Sequence, residues 1–350
     1  MTENIDQRLE NEENSDHEPE QIEDTEDDSA EPFNWTKAIK DPENAEWLDV
    51  QHARLREIPE KVLDLPKCDY VCFRYNLIKD MSNVSYLNPA VLTELDLYDN
   101  NIKEIAGISE LVNLKSLDIS YNNLKALKRD QLIKLVNLEK LYLCANNIKS
   151  IPENVFDGQI KNLEVLELGA NKIKKIENLP NFEKLRELHL AKNKISTIEN
   201  LPESLKPTLK VLTLQENRII NLDYPGLGDF EILTELYLSA NYITNESFAK
   251  NTFNNSKVGE SLEILDLSSN KTLTKLDNNL SYLKNISDLW LNSCGLLDWK
   301  DLDVSLGALK DNLDTVYMEH NPLQQGDAGY RRKLKLICPN LTQIDATSCL

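Results

Sequence analysis

Four histidines (17, 52, 189 and 320), six cysteines (68, 72, 144, 294, 338 and 349) and an excess of carboxylates are the side chains of this 350-residue sequence that could supply a base, a nucleophile or a metal site. Their spacing assembles none of these. The sequence has no HExxH pair, which would set two imidazoles on one helix face over zinc. It also lacks a GxSxG nucleophile turn and a glycine-rich phosphate loop. The cysteines include no CxxC pair and no framework spacing, so a reduced, intracellular chain is the simplest account. No catalytic residue, cofactor or metal ligand is expected, and the chain should not be an enzyme.

What remains is recognition by acids and aromatics. Asp118, Tyr142, Glu167, His189, Tyr237, Asp266, Asp288, Trp290 and Tyr317 are the candidate protein-binding residues, and what unites them is their place in a repeated element. The stretch LWLNSCGLLDW (289–299) shows the logic. Side chains alternate along a strand, so if Leu289 and Leu291 face the core, Trp290 faces away from it.

That element recurs. LTELDLYDNNI (92–102) reads LxxLxLxxNxI and returns as LKSLDISYNNL (114–124), LEKLYLCANNI (138–148) and LEVLELGANKI (163–173). It continues as LRELHLAKNKI (185–195), LKVLTLQENRI (209–219), LTELYLSANYI (233–243) and, with one residue inserted, LEILDLSSNKTL (262–273). Weaker copies at 45–55, 68–78, 286–296 and 313–323 bring the total to twelve, spaced by 22 to 29 residues. This is the pattern of a leucine-rich repeat. The alternating apolar residues make a short strand, and the ninth-position Asn is suited to satisfying turn backbone groups that would otherwise be buried unpaired. Ala53 and Cys294 replace it in two copies. The three-residue apolar period of the return segments, as in Ile102, Ile105 and Ile108, suits 3₁₀ or short helical turns.

The predicted fold is an α/β solenoid, a leucine-rich-repeat horseshoe of about twelve short repeats with a parallel concave sheet and capped ends. Residues 1–31 are read as an acidic tail, 32–47 as an N-terminal cap, 48–323 as the repeats and 324–350 as a C-terminal cap. Phe33, Trp35, Ile39 and Trp47 are expected to form the first lid; Tyr330, Leu334 and Ile337, followed by Leu341 and Ile344, are expected to close the last coil. The net charge of −20 is concentrated in the tail, where fourteen Asp and Glu face one basic residue, Arg8, for a net −13. Such a segment has too few apolar groups to offset ordering entropy and is expected to be disordered. No apolar run approaches the ~20 residues that span a bilayer, and no signal peptide is read at the N-terminus, so no membrane association is expected.

Counting the first repeat letter as position 1, positions 4 and 6 are expected in the core and positions 3, 5, 7 and 8 on the concave face. That face has three basic residues, Arg74, Lys140 and Lys192, against twelve acidic ones and nine aromatics. It would repel phosphate, so nucleic acid is excluded as a partner. Twelve strands ~4.8 Å apart make an arc of roughly 50 Å, the scale of a folded protein. Aromatic anchors amid charge are what protein interfaces use. Position 7 is small over the middle of the face (Ser120, Cys144, Gly169, Ala191, Ser239, Ser268), which would let a partner approach closely.

The runs LWLNSCGLLDWKDLD, LDTVYMEHNPLQ and YRRKLKLICPNLTQIDAT, with LTELDLYDNNIKEI and LEVLELGANKIKKIENL, closely resemble the leucine-rich regulatory subunit of type-1 Ser/Thr protein phosphatase, regulatory subunit 7 in mammals. The resemblance covers about 65–347 and is most specific at the C-terminal end. It implies that the concave face binds the phosphatase catalytic subunit, with contacts at Asp118, Tyr142, Glu167, Asp266, Asp288, Trp290 and Tyr317. Tyr142 and His189 stand where the family has Phe. The first change adds a hydroxyl; the second loses apolar area. The resemblance further implies a non-catalytic subunit controlling activity, maturation and localisation in nucleus and cytoplasm, holding an incompletely metallated enzyme together with inhibitor-3. A basic-x-Val/Ile-x-Phe/Trp docking motif is missing, consistent with binding through the curved face. The alternative reading is a structural leucine-rich adaptor gripping another protein in a nuclear or cytoskeletal complex.

Overall fold

The computed structural model describes residues 33–60, 64–156, 160–222, 226–248, 253 and 256–349. The acidic segment 1–31 lies outside the described residues. Each of the twelve repeats contributes one three-residue strand. They are β1 (Trp47–Asp49), β2 (Tyr70–Cys72), β3 (Glu94–Asp96), β4 (Ser116–Asp118), β5 (Lys140–Tyr142) and β6 (Val165–Glu167). There follow β7 (Glu187–His189), β8 (Val211–Thr213), β9 (Glu235–Tyr237), β10 (Ile264–Asp266), β11 (Asp288–Trp290) and β12 (Thr315–Tyr317). They pair in sequence order, all parallel, as one sheet that does not close on itself. Two short strands extend it: β13 (Gln343–Ile344) joins β12 in parallel, and β14 (Thr347–Ser348) folds back antiparallel on β13. This last hairpin was not foreseen from the sequence.

The register is the one the alternation dictates. Position 4 of each repeat, the middle residue of its strand, from Leu48 through Leu117 and Leu289 to Val316, is buried in a continuous apolar core. Return segments close each coil with 3₁₀ turns such as Ser82–Tyr86 and Asp277–Tyr282 or with short helices such as Arg129–Leu132. The longest helix among the described residues, Trp299–Gly307, packs on the return segment of the preceding repeat.

The asparagines form a ladder. Asn217 donates from Nδ2 to the carbonyls of Leu190 (2.9 Å) in the preceding repeat and of Leu214 (3.0 Å) and Gln215 (3.3 Å) in its own, while its Oδ1 accepts the Ile195 N–H at 3.0 Å. The same set recurs at Asn100, Asn146 and Asn241, all nearly inaccessible. A fully hydrogen-bonded buried amide stabilises the coil, whereas an unpaired one would cost about 1–3 kcal/mol. Cys294 reproduces only the donor half, its thiol donating to the Leu267 carbonyl at 3.3 Å. The acceptor half is not needed there. The residue inserted after Asn270 lets Leu273 N–H turn back onto the Asn270 carbonyl at 3.0 Å. Burial pushes the Cys294 thiol up to about 12, which makes it an inert donor.

Position 8 carries a feature the pattern did not announce. In all twelve repeats, from His52 through Ala170 and Ala240 to His320, it has a left-handed backbone with φ between 51° and 64°, and none is glycine. Each such residue costs about 1–2 kcal/mol, and the ladder of side-chain bonds at the following Asn holds the turn.

At the start, Phe33, Trp35 and Ile39 are partly buried against the core, with Phe33 and Trp35 edge to face at 4.8 Å. Trp47 does not belong to this lid. It is position 3 of its repeat, the first residue of β1, projects from the strand rather than into the core and is 66% exposed. At the finish, Tyr330 and Leu334 of the Tyr330–Ile337 helix are buried with Leu341 and Ile344, while Ile337 is partly buried.

Candidate functional site

Because the strands run in register, the fifth-position residues form one row across the sheet. Asp118, Tyr142, Glu167 and His189 are consecutive neighbours on β4 to β7, and Thr213, Tyr237, Asp266, Trp290 and Tyr317 continue it on β8 to β12. Asp288 sits at position 3 of its repeat, the first residue of β11, on the same face as Trp290. The face is less open than the alternation implies. Most of these side chains are half-buried, and Asp266 is buried at 6% exposure.

The carboxylates explain part of this. The parallel ladder uses the N–H groups of positions 6 and 8, as when Leu97 and Asp99 donate to Asp118 and Ser120 carbonyls. The position-7 N–H is left over. Asp96, Asp118 and Asp266 each accept that N–H, from Tyr98 (3.0 Å), Ser120 (2.8 Å) and Ser268 (2.9 Å). Glu167 does the same for Gly169 at 2.5 Å. These acids therefore hold the turn as well as charge the face, and one oxygen of each is already engaged. In two of the repeats with an aromatic at position 5, a residue of the preceding repeat takes over: Ser120 Oγ accepts from Cys144 N–H, and Asn292 Oδ1 from Glu319 N–H. The small row at position 7 has the same internal explanation at one place. A Cβ on Gly169 would stand 2.6 Å from the Glu167 carboxylate, so the glycine makes room for its own repeat's acid. Burial raises the carboxyls of Glu167 and Asp96 above their ordinary range.

The aromatic end is at β9 to β12. Trp290 lies edge to face between Tyr237 (6.1 Å) and Tyr317 (5.6 Å), reaching Tyr237 past the small Asp266 strand position. Tyr237 donates its hydroxyl to Glu235 at 2.8 Å, and burial with that bond pushes its phenol up to about 12. Gln343 of the unforeseen β13 donates to the Tyr317 hydroxyl at 2.5 Å. Ser287 donates to Asp288 at 2.7 Å. The Trp290 indole N–H is buried yet meets no acceptor among the described residues, so an acceptor on a partner would satisfy it.

His189 is held on both ring nitrogens. Nε2 lies 3.2 Å from the Glu187 carboxylate and Nδ1 lies 3.3 Å from the Thr213 hydroxyl, so in the neutral ring Nε2–H donates to Glu187 and Nδ1 accepts from Thr213. It and Asp266 are separated by two strands and form no dyad. Among the described residues no cluster of His, Cys, Asp and Glu is placed to hold a metal ion, and no helix is long and apolar enough to cross a membrane.

A second aromatic run went unread. His52 stacks on Tyr75 (4.5 Å), Tyr75 meets Tyr98 (5.5 Å), and Tyr98 meets Tyr121 (4.8 Å). Arg74 lies over the Tyr98 ring at 4.3 Å and beside Asp96 at 3.5 Å. Aromatics at positions 7 and 8 of four successive repeats were the available signal.

Two family models match the chain, "Leucine Rich repeats (2 copies)" over residues 91–134 and "Leucine rich repeat" over 136–195. Among curated proteins it is 31% identical over 155 residues to the protein phosphatase 1 regulatory inhibitor subunit PPP1R7 homolog of Arabidopsis thaliana, covering 42% of this chain and 44% of that one. It is 54% identical over 52 residues to protein phosphatase 1 regulatory subunit 7 of Homo sapiens, covering 15% and 14%. The matched stretches span less than half the length of these relatives. Among solved structures, an internalin (inlF) from Listeria monocytogenes superposes with a TM-score of 0.61 at 21% identity over 88% of each chain, a likeness of fold alone. The chain is a leucine-rich-repeat solenoid, and its resemblance to regulatory subunits of protein phosphatase 1 holds over the matched stretches.

Proposed function

We propose that this chain is a non-catalytic regulatory subunit whose concave face binds the catalytic subunit of a type-1 Ser/Thr protein phosphatase. The observation that carries the reading is the Tyr237–Trp290–Tyr317 cluster, with its unpartnered indole N–H and with Asp266 and Asp288 beside it. Trp290 and Tyr317 lie in the C-terminal stretch on which the sequence resemblance chiefly rests. A face with twelve acidic and three basic residues suits a basic patch on a globular partner and would speed encounter at low salt.

The resemblance supports a finer reading: the chain controls the activity, maturation and localisation of the phosphatase in nucleus and cytoplasm. It would do so by holding the incompletely metallated enzyme, together with inhibitor-3. Capture of purified type-1 catalytic subunit by the full chain tests the proposal. Asp288→Lys should weaken capture at least tenfold with circular dichroism unchanged; unaltered capture would remove the acidic end from the interface. Recovery of a different protein on this face from cell extract, with no phosphatase, would favour the structural adaptor instead.

A further inference from the structure

The rim just past the asparagine ladder carries a charge pattern that neither packing nor the concave face uses. Three places after the ninth-position slot, six consecutive repeats present Arg56, Lys79, Lys103, Lys125, Lys149 and Lys174, and the remaining six repeats present no basic residue there. All six side chains are exposed. Each is pinned outward by buried apolar neighbours, as Lys103 is by Ile102 and Ile105. With one residue per strand at ~4.8 Å, the column is roughly 24 Å long.

Elsewhere on the return segments, lysines reach an acid one repeat away: Lys134 to Glu110 (2.6 Å), Lys161 to Glu183 (2.8 Å), Lys284 to Glu260 (2.8 Å). Arg56, Lys79, Lys103, Lys125 and Lys149 make no ion pair among the described residues. The next slot offers acids only in the first three repeats, Glu57, Asp80 and Glu104, and then Ala126, Ser150 and Lys175. Of those acids, Asp80 accepts from Ser82 N–H and Glu104 pairs with Lys128. Five like charges in a row, Arg56 to Lys149, without an ion pair among the described residues fit an extended polyanion.

We propose that the chain's own acidic N-terminal segment, residues 1–31, docks along this cationic rim. Its net −13 complements the column, and the acidic concave face would repel it. It joins the solenoid at Phe33, which packs on Trp35, whose ring in turn meets Phe73 of the second repeat at 6.5 Å. The segment therefore starts at the Arg56 end of the column. Thirty-one residues reach roughly 100 Å when extended, about four times the column's length. Tethering keeps its effective concentration near the millimolar range, enough for contacts that are individually weak.

The test uses the full chain. Zero-length carbodiimide coupling at low salt, mapped by mass spectrometry, should join carboxylates of residues 1–31 to Lys79, Lys103, Lys125 and Lys149. These links should exceed those to the exposed Lys271 and Lys310 by at least about fivefold, and should collapse near 0.5 M salt, where the Debye length is only ~4 Å. The full-length variant K103Q/K125Q/K149Q, with circular dichroism unchanged, should lose links to Lys79 as well. Equal coupling to Lys271 and Lys310 would overturn the proposal. So would links formed mainly between isotopically distinct chains in a mixed sample. Retention of a single-stranded RNA probe by the rim of the intact chain at physiological salt would assign the rim to an external polyanion and would equally overturn it.

Discussion

Replacing Asn217 by alanine should unfold its coil locally, and the size of the effect follows from the bonds removed. The amide makes three donations and one acceptance, and the Ile195 N–H and Leu190 carbonyl it satisfies belong to residues with no exposed surface. Only the Ile195 N–H is left unpaired, because the Leu190 carbonyl still accepts from Asn193 Nδ2 at 3.1 Å. Stranding that N–H costs about 1–3 kcal/mol, and the lost donations add about 1 kcal/mol. Cys294→Ala provides the internal control. It removes a single weak thiol donation at 3.3 Å and strands no N–H, because Leu273 already bonds to Asn270. Its cost should be about 1 kcal/mol. Urea unfolding gives the two free energies, and amide exchange at Ile195 should accelerate in Asn217→Ala and not in Cys294→Ala. An Asn217→Ala variant within about 0.5 kcal/mol of the parent, or equal costs at the two sites, would refute the ladder argument.

Ala240→Gly, at φ 51°, should stabilise the chain by about 0.5–1 kcal/mol by relieving a left-handed alanine; a loss of stability in urea would show that the turn is not strained. Truncation after Asn321 strips Tyr330, Leu334, Leu341 and Ile344 from the last coil and should lower the melting temperature of the whole stack, since each repeat leans on its neighbours; a soluble product with an unchanged melt would sink the cap assignment. Burial raises the Glu167 carboxyl above its ordinary 4.5, so the folded state holds that proton more tightly than the unfolded chain does. Ionisation therefore costs stability, a cost that sets in as pH rises through 4.5 and is complete above the folded value. Glu167→Gln, which can still accept from Gly169, should flatten the stability curve on that rise, and melts across the range would show an unchanged slope if the acid were not penalised.

The repeat, its register and the asparagine ladder were legible because they rest on local rules. Alternation fixes which residues face inward, and a buried turn needs a side chain that both donates and accepts. What was not legible depended on two repeats at once. Asp118 and Asp266 looked like free surface acids, yet the parallel ladder leaves a position-7 N–H that the position-5 carboxylate of the same repeat accepts. Gly169 read as room for a partner and is room for Glu167. Trp47 looked like lid because it is aromatic and near the end, but pairing with β2 makes it part of the first strand. The Gln343 bond to Tyr317 required a thirteenth strand that carries no repeat signature.

The central claim concerns Trp290, and calorimetry of Trp290→Ala with purified type-1 catalytic subunit tests it most directly. The indole makes two edge-to-face contacts within the chain, so losing it should cost roughly 1–3 kcal/mol of stability and leave the fold intact. Binding should fall far more in relative terms, by ~2–4 kcal/mol or roughly 30- to 1000-fold in Kd, as for a buried aromatic anchor. A folded Trp290→Ala chain that binds the phosphatase at full strength would contradict the account.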